Sequence, residues 1–351
     1  MTDPRLDPAP GAWARLLVAV ARALFPLPAA PPDAIRSVLV VRTDERVGNA
    51  LLTIPLVRAL QRALPRARVD LLLAARRAQV AEGLPGLRVL CFEKTDAFRH
   101  PLRFLRSLLS LRRERYQVVV DAAHWHAFSV TSALLSRFLA RAWVVGHARG
   151  PAGIYSRTVP PPPADAAEVE AKLSLGDALG LRLPVVPLET ALGKSPPGIA
   201  PPYAALNPGA RKEDHRWPAE RFGGLALALR EGLGLRSVIV WGPGEEELAR
   251  TAADASAGAA EVAPPTDLEQ LASLFRFATL VVTNDSGPLH LAVACGAPTV
   301  AILLEPSGRR WIHPGVEALV SPDVEGAFDA CARLLDRARR AAEPARTPEE
   351  R

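Results

Sequence analysis

Along the chain, short runs of apolar, often β-branched residues alternate with longer stretches in which apolar positions recur every three or four residues. The runs predict strands at 37–42 (SVLVVR), 68–73, 88–92, 117–121 and 142–146, and again at 203–207, 236–241, 279–284 and 298–303. The longer stretches predict helices near 50–64, 102–114, 127–139, 167–179, 218–232, 244–253, 267–276, 286–295 and 325–340. The strand runs are apolar throughout instead of alternating, so both of their faces must be covered. That pattern belongs to parallel sheets with helices on each side.

Proline marks the breaks. VPPPPAD at 159–165 and the proline-rich stretch 184–203 fit neither a helix nor a sheet interior. The expected organisation is an amphipathic extension at 1–33, a Rossmann-like unit at 34–183, a linker at 184–202, a second Rossmann-like unit at 203–322 and a C-terminal helix and tail at 323–351. In such sheets ligands sit at the carboxyl ends of the strands, so a site in a cleft between the units is expected. In the extension, Trp13, Leu16, Leu17, Val20 and Leu24 form one helical stripe, and Arg15 and Arg22 share another face. We read it as a helix packed on the domain by that stripe; the other reading is an interfacial helix. It is too short to span a bilayer and has no signal-peptide pattern.

Composition changes the picture little. The 351 residues are 49% hydrophobic and 23% charged, ordinary for a globular protein of two domains. The net charge of +6 comes from arginine, with lysine only at 94, 172, 194 and 212. Arginine pairs with phosphate and carboxylate in a bidentate way, but a compositional bias gives the same count. Aromatics at 5% and the absence of a nucleic-acid-binding signature argue against nucleic acid as partner. Cys91, Cys295 and Cys331 give no disulfide or zinc spacing; Cys91 and Cys295 read as small core residues in a reducing compartment.

Candidate chemistry concentrates in four loops. In LVVTNDSGPLHLAVACGAPTVAIL (280–303) a strand runs into Asp285, Ser286 and Gly287, and a helix follows at once. Its unpaired first-turn amides and dipole make an anion site. Ser286 suits the N-cap, Gly287 permits close approach, and His290 lies one turn in. The second loop, LNPGARKEDHRWPAERF (206–222), carries Asn207, Gly209, Arg211, Lys212, His215 and Arg216, a basic set suited to a diphosphate. The third, WGPGEEE (241–247), offers Glu245 to ribose or base, although an acidic first turn also caps a helix. It lacks the third glycine of a dinucleotide fingerprint, and GKS at 193–195 lacks the upstream glycine of a phosphate loop. No Asp-x-Asp pair occurs, so neither a metal nor another cofactor is expected. The chain's three asparagines, Asn49, Asn207 and Asn284, all fall at predicted strand ends.

Together with VRTDERVGNALLTIPLVRAL in the opening loop, these pieces resemble, in order and spacing over about 35–305, glycosyltransferase family 9, the heptosyltransferases of bacterial lipopolysaccharide. The resemblance implies a GT-B fold of two facing Rossmann-like domains and inverting, metal-independent transfer. The donor, an ADP-heptose-like nucleotide sugar, would bind the C-terminal domain and a glycolipid or cell-envelope glycan the N-terminal one. Carried over by position, Asp285, Ser286, Gly287 and His290 match the diphosphate and sugar site. Asn207, Gly209 and Arg216 match the basic loop, and Glu245 faces the nucleoside. The family has Lys where this chain has His215, and Gly-Asp where it has Gly48-Asn49; that Asp is the family's proposed general base.

Asparagine is not a base at neutral pH. Asp44, in the same loop between Arg42 and Arg46, is the first candidate to replace it; a cap or salt bridge is its ordinary alternative. His124 and His126, after another strand, are the second, or contacts to the acceptor; as a metal half-site the pair lacks a third ligand. The third reading is a catalytically impaired protein that binds nucleotide sugar or acts as a scaffold. The basic helix at 99–116, with Leu102, Leu105, Leu108 and Leu109 ringed by arginines, packs on the core or touches anionic lipid. The expected location is cytoplasmic, with contact to the inner-membrane surface.

Overall fold

The computed structural model describes residues 11–28, 30, 32–163 and 166–342; the ends of the predicted extension and tail lie outside these. The chain divides into two units, which meet in sequence at Ala191 and Leu192. Unit 1 holds α1 (Ala12–Leu24), β1 (Ser37–Arg42), α2 (Val47–Leu51), α3 (Ile54–Ala63), β2 (Arg68–Ala74), β3 (Val89–Phe92), α4 (Asp96–Arg99), α5 (Pro101–Arg113), β4 (Val118–Asp121), α6 (Val130–Leu139), β5 (Trp143–His147), β6 (Arg157–Val159) and α7 (Glu168–Leu173). Unit 2 holds β7 (Ala204–Asn207), α8 (Ala219–Leu233), β8 (Ser237–Ile239), α9 (Glu246–Asp254), β9 (Ala260–Val262), α10 (Leu268–Phe277), β10 (Leu280–Asn284), α11 (Gly287–Ala294), β11 (Thr299–Leu303), β12 (Glu317–Val320) and α12 (Val324–Ala342).

Each unit is built on a six-stranded sheet, ordered β3-β2-β1-β4-β5-β6 in unit 1 and β12-β11-β10-β7-β8-β9 in unit 2, with every pairing parallel. Counted within its own unit, each sheet has the same order, and the winding reverses between the first and fourth strands. Those reversals, β1/β4 and β7/β10, are where ligands bind in doubly wound sheets, because flanking crossovers leave opposite faces and open a crevice.

The continuous apolar runs are buried on both sides as their pattern requires: β1, β4, β7 and β10 have buried residues at all or nearly all positions. On one face of the unit 1 sheet, Leu39, Val41 and Val119 pack with Val18 of α1, Leu111 of α5 and Leu139 of α6. In unit 2, Leu206, Val282 and Ile302 pack with Trp217 and with Phe222 of α8 and Cys331 of α12.

The sequence reading missed β6, β9 and β12. All three are short edge strands, so little apolar sequence is needed to hold them. The single helix expected at 50–64 is two, α2 and α3. Pro55 lies in the first turn of α3, where its missing N–H costs nothing; within a continuous helix its ring would clash with the carbonyl of Leu51. Cys91 is exposed rather than in the core, while Cys295 and Cys331 are buried. No helix among the described residues is long and apolar enough to cross a membrane.

Candidate functional site

At the β7/β10 reversal, loops from four strands converge, held by their own side chains. Asn284, fully buried at the end of β10, accepts from the Trp217 amide at 3.0 Å and donates to the Pro208 carbonyl at 2.8 Å. Asn207 donates to Thr283 Oγ1 at 3.2 Å and accepts from the Gly209 amide at 3.2 Å. These asparagines therefore tie the loop after β7 to the loop after β10. Glu245, after β8, accepts from the Gly242 amide at 3.0 Å and lies 3.9 Å from Arg216 Nη2. Gly209 leaves room for it: a Cβ there would fall 2.1 Å from Glu245 Oε2, so the carboxylate would have to move.

The start of α11 is open to an anion. No described group accepts from the amides of Ser286 or Gly287; the Leu289 amide returns to Ser286 O. Ser286 holds the N-cap position in extended geometry, but its hydroxyl caps nothing, and Oγ is buried without a partner. That corrects the capping role expected for it. A Cβ on Gly287 would meet no atom within 4 Å, so the space above it is empty. Asp285 stands beside this turn with His215 Nδ1 at 3.9 Å, and burial pushes its carboxyl up to about 6 against the pull of His215 and Arg310. The buried His290 is paired through Nδ1 with His313 Nε2 at 2.8 Å, and burial holds the His313 imidazole down at about 4, so it is neutral at pH 7. Arg310 and His313 lie in and just after the turn at 306–311, whose Gly308 comes within 3.1 Å of Asp285 Oδ2 if given a Cβ. The sequence reading overlooked this turn, although Glu305, Pro306, Ser307 and Gly308 punctuate it locally.

At the β1/β4 reversal of unit 1 a different arrangement fills the strand ends. Arg42, 2% exposed, donates to the Ala122 carbonyl and forms an ion pair with Asp44 through Nε. Asp44 accepts from the Arg46 amide at 3.1 Å and from Asn49 Nδ2 at 2.7 Å, with its side chain 33% exposed. Burial raises the Asp44 carboxyl, but Arg42 and Asn49 outweigh it, and the group sits below the ordinary carboxylate range. His124 Nε2 receives both Arg42 Nη2, at 2.8 Å, and Asn49 Nδ2, at 3.1 Å. Two donors on Nε2 assign the ring proton to Nδ1, which faces Glu168 Oε1 at 3.7 Å. Burial lowers the His124 pKa to about 4. Glu168 is held ionised against its burial by Lys172 Nζ at 3.1 Å, and its other oxygen accepts from Trp125 Nε1.

Asn49 thus spans Asp44 and His124. An Asp at 49 would set a second carboxylate where the Asn49 amide now donates to the first. Gly48 is buried in α2 beside it. His124, His126 and Glu168 lie close enough for their ligand atoms to share an ion, all within 4.8 Å, so the third ligand that the sequence lacked exists. The donor set nonetheless fits a cation poorly: Lys172 occupies Glu168, and Arg42 is fixed against His124.

The family model for glycosyltransferase family 9 (heptosyltransferase) matches residues 104–311, more than half of the chain. The chain belongs to glycosyltransferase family 9. A family relative, lipopolysaccharide heptosyltransferase 1 of Escherichia coli K12, is 28% identical over 286 residues, covering 76% of this chain and 86% of that protein. The E. coli heptosyltransferase WaaC solved with ADP superposes with a TM-score of 0.68 at 24% identity, covering 86% of this chain and 99% of that one. A family 9 glycosyltransferase from Veillonella parvula superposes with a TM-score of 0.74 at 18% identity, covering 88% and 99%. The two doubly wound parallel sheets are those of the GT-B class to which these heptosyltransferase structures belong.

Within this family 9 chain, the residues expected at the donor side gather at one sheet reversal, and Arg42, Asp44, Gly48, Asn49, His124 and His126 gather at the other. Glu168 and Lys172, on α7, complete the second group and were not foreseen. They lie far along the chain, with an i,i+4 spacing that reads as ordinary helix-surface pairing.

Proposed function

We infer that this protein transfers a heptose-like sugar from an ADP-linked donor to a lipopolysaccharide or other cell-envelope glycan, with inversion and without a metal. Support comes from the names of its relatives, a lipopolysaccharide heptosyltransferase and a heptosyltransferase bound to ADP. The observation that carries the reading is the α11 turn, with two unclaimed amides and an unpartnered buried hydroxyl next to Asp285, which His215 and Arg310 face. A departing diphosphate gains negative charge as the sugar leaves, and fixed donors aimed at that charge stabilise the transition state more than the ground state. On this reading Glu245 faces the nucleoside, and Asp285 and His290 face the diphosphate and sugar.

In the same reading Asp44 is the general base. Its low pKa keeps it ionised at neutral pH, it is partly exposed, and Asn49 and the Arg46 amide fix its orientation. The acceptor hydroxyl gives its proton to Asp44 as its oxygen bonds the anomeric carbon, and the bond from that carbon to the diphosphate breaks. The carboxylate has moved from position 49 to 44, and an amide at 49 holds it. His124 is the weaker candidate, because its Nε2 lone pair already takes two hydrogen bonds.

The test uses Gly287→Val. Its side chain enters space that no protein atom occupies, so the melting temperature should be unchanged, while affinity for ADP should fall at least tenfold by calorimetry. Equal affinity for ADP in the variant would remove the donor site from this turn. The scaffold reading gains from Asn49; it would stand if the wild type bound ADP-heptose but released no ADP, with or without acceptor.

A further inference from the structure

The helix α1 was expected to pack by its bulky stripe, and it does the reverse. Ala14, Val18 and Ala21 are buried, whereas Trp13, Leu16, Leu17, Val20 and Leu24 are exposed, Leu16 and Leu24 at 66% each. The basic helix α5 repeats the inversion: Leu111 is buried, and Leu102, Leu105 and Leu109 face outward. Of the ten large apolar side chains exposed among the described residues, nine lie on α1, α4 and α5, including Phe98 at 93%; the tenth is Val185. So concentrated a patch is not the scatter of single apolar residues found on soluble surfaces.

The two stripes belong to one face. Both α1 and α5 pack beside α6, and Phe25, after α1, meets Phe138 of α6 edge-on with centroids 5.2 Å apart. Arg112 of α5 covers both rings, at 4.9 and 4.6 Å. The charge on this face has a single sign. Helices α1, α5 and α6 contain no acidic residue, yet they carry Arg15, Arg22, Arg103, Arg106, Arg113 and Arg137 besides Arg112. The acids flanking α5 in sequence are already claimed, Asp96 by Arg103 and Glu114 by Arg68 and Arg88.

Between α1 and α6 an open groove is lined by Ala19, Arg22, Ala23, Pro26, Leu27 and Arg137. Arg137 is 6% exposed. Its Nη1 donates to the carbonyls of Gly153 and Ile154, but its buried Nε has no acceptor. A single-signed basic groove edged by exposed leucines complements a surface that is anionic at its rim and apolar beneath.

We propose that the α1–α6–α5 face of unit 1 docks on an anionic phospholipid bilayer. The Leu16–Leu24 side of α1 lies among the acyl chains, and the Arg22–Arg137 groove takes a headgroup phosphate. At 13 residues α1 is an interfacial helix, not a span. Such docking would hold the enzyme at the surface where a lipid-linked acceptor resides, and it does not depend on which sugar is moved.

The full chain is floated with phosphatidylcholine vesicles, with and without phosphatidylglycerol. The wild type should float only with the anionic vesicles and should lose binding as salt rises past physiological strength. Leu16→Ser/Leu24→Ser should weaken binding at least tenfold and Arg22→Gln about fivefold. Both variants should keep the wild-type melting temperature, since the altered side chains are exposed. The proposal fails if anionic vesicles do not retain the wild type at low salt, if uncharged vesicles retain it equally, or if neither variant weakens binding. It also fails if light scattering shows a dimer that the leucine variant dissociates, since the face would then cover a second copy of the chain.

Discussion

The two units share one sheet topology and treat its reversal point in opposite ways. At β1/β4, unit 1 fills the crevice with its own polar side chains: Arg42, Asp44, His124, Glu168 and Lys172 satisfy one another and leave one carboxylate partly exposed. At β7/β10, unit 2 uses its asparagines to tie the two loops together and leaves amides and a hydroxyl without partners. A site that orients one proton acceptor needs rigid surroundings, and a buried, mutually satisfied network supplies them. A site that receives a doubly charged diphosphate needs unspent donors. The same scaffold thus suits two tasks by what it pairs internally and what it leaves unpaired.

The strongest challenge to this contrast is Asp44→Asn. Transfer should slow by about 10²–10⁴ in kcat, the usual contribution of a general base, while the affinity for ADP, which the proposed function assigns to unit 2, stays within twofold. Steady-state transfer and calorimetry measure the two. The double variant Asp44→Asn/Asn49→Asp should recover part of the loss by returning a carboxylate to position 49; no recovery would mean that position 44 alone can serve.

Next in size is Lys172→Met. Lys172 and Glu168 are both almost wholly buried, and removing one partner of such a pair leaves a stranded charge. Unfolding of unit 1 in urea should lose about 3–5 kcal/mol. Lys172→Met/Glu168→Leu should return most of it, showing that the network serves geometry more than stability.

Acid should separate the units further. His124 and His147 in unit 1 and His313 in unit 2 are each lowered by burial to about 4 from an ordinary 6.5. Between these values the unfolded chain binds the proton and the folded one does not. Their stabilising effect is therefore complete above about 6.5 and drains away as pH falls toward 4, by about 1–2 kcal/mol per histidine at pH 5. Asp285, raised to about 6, acts in reverse in unit 2, as does the raised Asp121 in unit 1. Unit 1, with two such histidines against one, should melt first on acidification; melts at pH 7 and pH 5, with and without ADP, resolve the order.

The smallest effect is Gly209→Ala. The new methyl must push Glu245 from the Gly242 amide. Loss of one hydrogen bond to a charged group, about 1.5 kcal/mol, should weaken ADP binding roughly tenfold and leave Asp44 chemistry untouched.

How far this contrast could be read without coordinates depends on range along the chain. The α11 turn was legible because Asp285, Ser286, Gly287 and His290 are neighbours in sequence, and strand-to-helix punctuation marks an anion site locally. The substitution at Asn49 was equally visible, but its meaning was not: the amide donates to Asp44, five residues away, and to His124, seventy-five away. The turn at 306–311 is marked locally by Pro306, Ser307 and Gly308, but its link to Asp285 exists only across the sheet. The stripe on α1 was read correctly as a stripe and assigned to the wrong side.

By itself, then, the amino-acid order determined the two doubly wound sheets and the strand-to-helix turn with unclaimed amides at the start of α11, because solvent exclusion and helix starts act over one strand or one helical turn. Which carboxylate a guanidinium claims, which histidine face stays occupied and which side of a helix meets water were decided only when distant segments packed together. Those outcomes depend on burial and on partners dozens of residues away, and no local pattern encodes either.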